Sequence, residues 1–396
     1  MKKIKLYKYY FSYLKNIIYG NFHPFLVNET DFFNIKSLYS KNIEHKDSLK
    51  SFYIFLKKKY GSKKKILITK SGRHALEILL NSINLPKKSE ILIPSYSCLG
   101  LVQPIISTGF TPHFVDINND LNPSFESIRN AINKNIKACI FPYLAGNFSD
   151  DFFKIKDLCK KKKILLIEDC CQAYGLKYKK KDVGLFSDAS FFSSGVGKPI
   201  FTPEGGWLIV NNTKIIKSEF PNLPKENSQY FFKNDYLKFC DKYSDKYLRV
   251  IMNMLSETFN LLIKTVKKEV YSKEKITSNS TISNLSAAII LNEIKKNEMN
   301  IKIRKKNAKY WFSKLSGSNV DFFCNENSIY NKLFVKTDNE LKRKIILDGF
   351  QVESGYKPLH LRYNFNKFPK QNLNNTTNLW NGIFSLPIRP SLKNII

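Results

Sequence analysis

Apolar residues along this chain fall into short runs of strand length, set apart by stretches with helical spacing. The runs are Lys64–Thr69, Glu90–Pro94, Pro112–Ile117, Ala138–Leu144, Ile164–Asp169, Ala189–Ser193 and Gly206–Asn211. Between the early ones lie patterns such as Ala75, Leu76, Leu79 and Leu80, which put apolar side chains on one helical face. Strand, helix, strand in repetition predicts an α/β fold: a parallel or mostly parallel sheet, helices on both faces, and ligands at the carboxyl ends of the strands. This large domain is expected over residues 50–285, after an aromatic and basic segment at 1–49. Residues 286–396 read as connecting helices, Asn284–Lys296 and Arg304–Leu315, leading into a small α+β domain. Its expected elements include a strand at Asn331–Thr337 and a helix from Asn339.

The stretch 213–278 breaks the pattern. It is basic, aromatic and helical in spacing, and is expected to pack within the protein or across a subunit interface in preference to a membrane surface. The longest apolar stretches fall far short of the about 20 residues that a spanning helix needs. Lys8 and Lys15 interrupt the apolar run that an export signal would require. The expectation is a cytoplasmic protein.

Composition adds one complication. With 396 residues and 43% hydrophobic content the chain can bury a large core. The net charge is +32, a value that raises nucleic acid or an anionic membrane as partner. The lysines are scattered, however, with only short runs at Lys57–Lys59, Lys63–Lys65, Lys160–Lys163 and Lys179–Lys181. A solvated basic surface is therefore expected, with no specific nucleic acid partner and a general pull on anions. The seven cysteines are odd in number and lack paired metal-ligand spacing, which reads as reduced thiols and no metal site.

Chemistry concentrates between Ile164 and Gly206. The run Ile164–Asp169 ends in two acids, and the run Ala189–Ser193 leads through a glycine-loosened loop to Lys198. Side chains alternate along a strand, so Glu168 and Asp169 must face opposite ways. An acid and a lysine presented from neighbouring strand ends suit pyridoxal phosphate, whose aldehyde forms a Schiff base with the lysine while a carboxylate holds the pyridine nitrogen protonated. Upstream, Ser71-Gly72-Arg73 is a glycine turn opening a helix, where backbone amides and the helix dipole can meet a phosphate.

These residues, in this order, resemble the sugar aminotransferases of the DegT/DnrJ/EryC1/StrS family. The resemblance rests on Asp169-Cys170-Cys171-Gln172 with Gly175, Ser193 five residues before Lys198, and Glu204-Gly205-Gly206. It extends to Ser71–Leu76, Ile93–Cys98, Gly109–Ile117 and Phe384–Leu392, so that it spans roughly residues 45 to 392. It implies the fold-type-I, aspartate-aminotransferase-like architecture, pyridoxal 5'-phosphate as cofactor, and a homodimer with the active site at the subunit interface. The implied reaction passes an amino group from an amino-acid donor such as glutamate to a nucleotide-linked keto-sugar, for surface polysaccharide or glycoconjugate synthesis. By the same resemblance Lys198 is the catalytic amine and Asp169 pairs with the pyridine nitrogen. Gln172 lies near the ring hydroxyl, and Ser193, Gly72 and Arg73 meet the phosphate. Cys98 stands where many members stack an aromatic ring, and Asn279 matches the asparagine that reaches the phosphate from the partner subunit. Two departures stand out: Arg73 replaces the family's usual threonine, and Thr281 its usual arginine. Tyr96, on the same expected strand as Cys98, and His360, Arg362 and Arg389 approach the substrate entrance. Some relatives use the cofactor for sugar dehydration and carry histidine in place of the lysine; a non-catalytic binding protein is the other alternative.

Overall fold

The computed structural model describes residues 47–228, 280–348, 350 and 352–390. Residues 1–46 of the expected N-terminal segment, residues 229–278 of the basic stretch and Asn279 lie outside the described residues; the described part of that stretch, 213–228, is mostly irregular with one short turn at Thr213–Ile215 instead of the expected helix.

In chain order the first half comprises α1 (Ser48–Tyr60), β1 (Lys65–Thr69), α2 (Gly72–Ser82), β2 (Glu90–Pro94), α3 (Val102–Ser107) and β3 (Thr111–Val115). It continues with α4 (Phe125–Ala131), β4 (Ile136–Pro142), α5 (Phe152–Lys162), β5 (Leu165–Asp169), a small hairpin of β6 (Lys177–Tyr178) and β7 (Lys181–Asp182), β8 (Ala189–Ser193) and β9 (Gly206–Val210). Each of the seven apolar runs supplies one strand of a seven-stranded sheet ordered β1-β9-β8-β5-β4-β2-β3. Such unbroken apolar runs belong to strands covered on both faces. Alternate residues feed two cores: Leu166, Phe192, Trp207 and Ile209 on one side, Ile167, Phe191, Leu208 and Val210 on the other.

β9 alone runs against the rest, pairing antiparallel with both β1 and β8. Its first residue, Gly206, is consequently level with Thr69 and Ser193, the last residues of the two strands beside it. Asp169 ends β5 on the same edge, opposite Phe191. One rim of the sheet thus collects the ends of β1, β5 and β8.

The remainder is α6 (Asn284–Lys314), β10 (Val320–Phe322), β11 (Leu333–Thr337), α7 (Asn339–Leu347), β12 (Glu353–Ser354), α8 (Asn374–Trp380) and β13 (Ile383–Leu386). The two expected connecting helices are one continuous helix of 31 residues. No glycine or proline interrupts Asn297–Ile303, so nothing in the joining sequence breaks it. The small domain is an antiparallel sheet ordered β10-β11-β13-β12. It packs on Ala308, Trp311 and Leu315 of α6, and the Trp311 indole donates to the Pro387 carbonyl at 2.9 Å.

Candidate active site

The N-terminus of α2 opens onto the sheet rim. Ser71 caps it, its hydroxyl accepting from the His74 amide at 3.2 Å. The earlier first-turn amides have no partner within a helix and are disposed toward an anion. Three elements converge on Gly72: a Cβ there would stand 2.7 Å from Cys171 Sγ and 3.0 Å from Ser193 Cβ. Gly206 answers a different need, since a Cβ at that position would lie 2.3 Å from the Ser71 carbonyl carbon. The glycines let β9 and β8 press against the turn before α2.

Lys198 follows β8 in a loop closed by the Gly195 amide on the Ile200 carbonyl at 2.9 Å and the Lys198 amide on the Gly195 carbonyl at 3.1 Å. Gly197 sits at φ +73°, which suits glycine. The small domain holds this loop, because Asn331 Nδ2 donates to the Gly197 carbonyl at 3.1 Å. The Lys198 side chain is half-buried. Burial pushes its ammonium down, but Cys171, Cys98, Tyr356 and Asp169 around it outweigh that and hold it above the ordinary lysine value.

Asp169 is buried, with one carboxylate oxygen accepting from the Cys171 amide at 2.9 Å. Burial lifts its carboxyl above the ordinary range, against the pull of the Lys198 ammonium and the Cys171 hydrogen bond. Glu168 turns to the other face and closes the turn before β8. It accepts from the Tyr143 hydroxyl, the Gly184, Phe186 and Ser187 amides and the Ser187 hydroxyl, at 2.7 to 3.0 Å.

Asp169 and Lys198 line one cavity of about 430 Å³ together with Gly72, Arg73, Cys98 and Ser193. Six of the sequence candidates are thereby brought together. Ser193 Oγ reaches the neighbouring Ser194 carbonyl at 3.3 Å. Arg73 is exposed; its stem covers Gly100 and its Nη1 donates to Gln103 Oε1 at 3.4 Å, which directs the guanidinium along α3 rather than into the turn. Cys98 caps a short helical turn, its sulfur accepting from the Gly100 amide at 3.4 Å.

The other candidates lie elsewhere. Gln172 does not line the cavity: its amide oxygen accepts from Ala145 at 2.9 Å and its nitrogen donates to the Tyr356 hydroxyl at 3.0 Å. The expectation that Tyr96 shares a strand with Cys98 is corrected, because β2 stops at Pro94. Tyr96 is fully buried, its ring against Tyr356 and Phe334 and its hydroxyl accepting the Tyr356 amide at 3.2 Å; it fastens the small domain to the large one. His360 bonds Ser95 Oγ at 2.6 Å, and Arg362 Nε donates to the Lys357 carbonyl at 3.3 Å; neither lines the cavity. Arg389 lines a second, smaller cavity that shares Lys198 with the first. The residues missed in sequence are Asn331 and Arg304, which hydrogen-bond the lysine loop from the small domain and α6, Lys332, which lines the smaller cavity with Lys198, and Tyr356, which lies among the groups around the Lys198 ammonium. No local spacing marks them.

Matching known proteins decides what this rim belongs to. The profile of the DegT/DnrJ/EryC1/StrS aminotransferase family covers residues 35–395. The chain is a member of that family. Among its relatives is the GDP-perosamine synthase of Escherichia coli O157:H7, 36% identical over 146 residues, 37% of this chain and 40% of the relative. The GDP-4-keto-6-deoxy-D-mannose 3-dehydratase of Escherichia coli O55:H7 (strain CB9615 / EPEC) is 26% identical over 329 residues, 78% of this chain and 77% of that protein. In fold, this family member resembles NtdA from Bacillus subtilis with bound cofactor PMP, at a TM-score of 0.69 and 20% identity over 94% of this chain and 81% of that one. Among the described residues no helix is long and apolar enough to cross a membrane.

Proposed function

We propose that this family member is a pyridoxal 5'-phosphate-dependent aminotransferase that moves an amino group from glutamate to a keto-sugar carried on a nucleotide. Surface polysaccharide or glycoconjugate synthesis, a cytoplasmic location and a homodimer with the site at the subunit interface belong to the same reading. So does the division into a cofactor-binding domain at 50–285 and a small domain at 286–396. One observation carries it: Lys198 and Asp169 line a single cavity of about 430 Å³, within the size range of ligand pockets, whose wall includes the first turn of α2.

The residues present fit the group. The cradle at Gly72, which a Cβ would fill, is shaped for a phosphate taking backbone amides of Gly72 and Arg73, with the Ser193 hydroxyl beside them. Asp169 would hold the pyridine nitrogen and Cys98 would pack against the ring. Bound there, pyridoxal phosphate supplies an electron sink for negative charge developing on the substrate carbon. The chain supplies the proton traffic. Lys198 Nζ, freed by the incoming amine, takes the proton from the donor's carbon as a base and returns it as an acid. The Asp169 carboxylate beside it favours the protonated form between the two transfers. With the ring held there Asp169 would keep its charge, because a protonated pyridine nitrogen would offset the cost of burial. Asn331 fixes the loop so that Nζ returns to the same place.

The dehydratase among the relatives gives a second reading. Lys198 is what favours transfer, since an amine that forms and breaks its own bond to the cofactor can exchange with a donor. Incubating purified protein with GDP-linked and UDP-linked 4-keto-sugars and glutamate, and identifying the sugar by mass spectrometry, separates the two. An aminated sugar is expected; a deoxygenated sugar in its place means elimination.

A further inference from the structure

A cavity of about 790 Å³ lies between α1, α6 and the β6–β7 hairpin, and it shares no lining residue with the cofactor cavity. Its apolar lining is Phe55 of α1 with Ile294 and Ile301 of α6, all half-buried against the large core. Its charged lining is six lysines against two acids. Asp182 is already taken by Lys59 at 2.9 Å, a bond that ties the hairpin to α1. Among the described residues Lys58, Lys177, Lys295, Lys302 and Lys305 form no ion pair, and Glu298 is the acid left in the lining beside them. The fold thus gathers into one groove lysines that the sequence scatters from α1 to α6.

The outer faces beside this groove are not purely polar. α6 buries Asn297, Arg304, Ala308 and Trp311 and turns Lys295, Met299, Lys302 and Lys306 outward, a stripe spaced as one helical face. Met299 is 57% exposed, and Ile54, one turn before Lys58 on α1, is 55% exposed; of the large apolar residues described only Tyr363 is more exposed. Solvation by itself accounts for a lysine surface such as Lys160, Lys161 and Lys162, which end α5 with no exposed large apolar side chain on that helix. It does not account for an apolar groove flanked by two exposed aliphatic side chains.

We infer that the groove face of α1, α6 and the hairpin docks the protein on an anionic phospholipid membrane. Lysine ammoniums meet the headgroup phosphates, while their stems, Ile54 and Met299 lie along the acyl boundary. A nucleic acid would use the lysines and leave the aliphatic side chains unmatched, because its bases stack on aromatic rings. The contact is peripheral, in keeping with described helices of which none could cross a membrane. It goes beyond the transfer reaction, since no residue of the cofactor cavity takes part.

The test is sedimentation of the full-length protein with vesicles of equal parts phosphatidylglycerol and phosphatidylcholine, and with phosphatidylcholine alone. Affinity for the mixed vesicles should be higher by about tenfold or more. A lysine at an anionic surface is worth about fivefold in affinity, so Lys302→Glu with Lys305→Glu should weaken binding by about tenfold or more. Lys160→Glu with Lys161→Glu changes the net charge equally and should weaken it about twofold at most, since salt screens charges away from the contact. Ile54→Ser with Met299→Ser keeps every charge; it should weaken vesicle binding severalfold and leave heparin binding unchanged. All six substitutions fall at exposed positions, so the fold is preserved, and thermal melts check it. Equal losses from the two lysine pairs overturn the inference by making the effect one of net charge. Vesicle binding indifferent to Ile54 and Met299 overturns it too. So does duplex DNA bound more tightly than the mixed vesicles through Lys302 and Lys305, which marks a nucleic-acid surface.

Discussion

Asn331 donates its side-chain amide to the Gly197 carbonyl across 3.1 Å, tying the small domain to the residue that precedes the lysine. The bond joins parts of the chain 134 residues apart, and its neighbour from Arg304 to Pro199 joins parts 105 apart. Lys198 is thus gripped on both flanks by elements that arrive only after the large domain is complete. Asn331→Ala should cost about 1 kcal/mol of stability, the ordinary worth of such a bond. It should reduce kcat more than it changes cofactor affinity, because the loop loses its position and not its ligands. Urea unfolding alongside cofactor titration reads the two effects separately.

Adjacent acids should give opposite results. Glu168 accepts five hydrogen bonds from the turn before β8, so Glu168→Gln turns an NH2 toward donors and should destabilise by about 3 kcal/mol or more. Asp169 is held above the ordinary carboxylate range by burial, so its ionised form costs stability as pH rises through the folded value. Asp169→Asn should therefore be as stable as wild type at neutral pH, or more so, while kcat falls by about 100-fold or more for want of charge opposite the pyridine nitrogen. Thermal melts set beside steady-state rates decide it; an unstable Asp169→Asn would contradict the reading of its surroundings.

Gly72→Ala tests the cradle. The added methyl meets Cys171 Sγ at 2.7 Å and Ser193 Cβ at 3.0 Å, so strain of about 1–3 kcal/mol is expected, with cofactor affinity lowered at least tenfold. Adding Cys171→Ala removes the nearer contact and should restore part of both. No rescue in the double variant would mean that the remaining contacts, Ser193 Cβ at 3.0 Å and the Phe192 carbonyl oxygen at 3.3 Å, are what exclude the methyl.

Two histidines set a stability limb in acid. Burial pushes His360 below the ordinary imidazole value, with Lys370 adding to it and Asp116 opposing, and burial with Lys70 does the same to His74. The unfolded chain then binds protons that the folded chain refuses. Stability should be complete above the ordinary histidine value of about 6.5 and decline as pH falls below it. His360→Asn, which can still reach Ser95, should flatten that decline at a cost of about 1 kcal/mol at pH 8. Urea midpoints from pH 5.5 to 8 check the slope.

The seven strands were legible in the sequence because each is covered on both faces and reads as an apolar run. Asp169 was legible because it ends such a run and Lys198 because it stands in the glycine-loosened loop that follows another, and period two separated Glu168 from Asp169. The reversal of β9 was not, since a buried antiparallel strand carries the same apolar signature as its parallel neighbours. Tyr96 misled because a strand pattern was extended past Pro94, where the chain bends and the ring serves the domain contact. Arg304 and Asn331 could not be found from spacing at all. Arg304 sits on a charged helix where exposure is the default for arginine, and only the folded path of α6 past Pro199 buries it.

The central claim is that Lys198 is the amine on which the cofactor and an amino donor exchange. The most direct measurement is the visible absorption spectrum of purified protein given pyridoxal phosphate, for wild type and Lys198→Ala, before and after glutamate. The account predicts a lysine-linked cofactor band in wild type that glutamate converts to the amino form, and no such band in Lys198→Ala. A wild-type spectrum identical to free pyridoxal phosphate, or a Lys198→Ala spectrum identical to wild type, would contradict it.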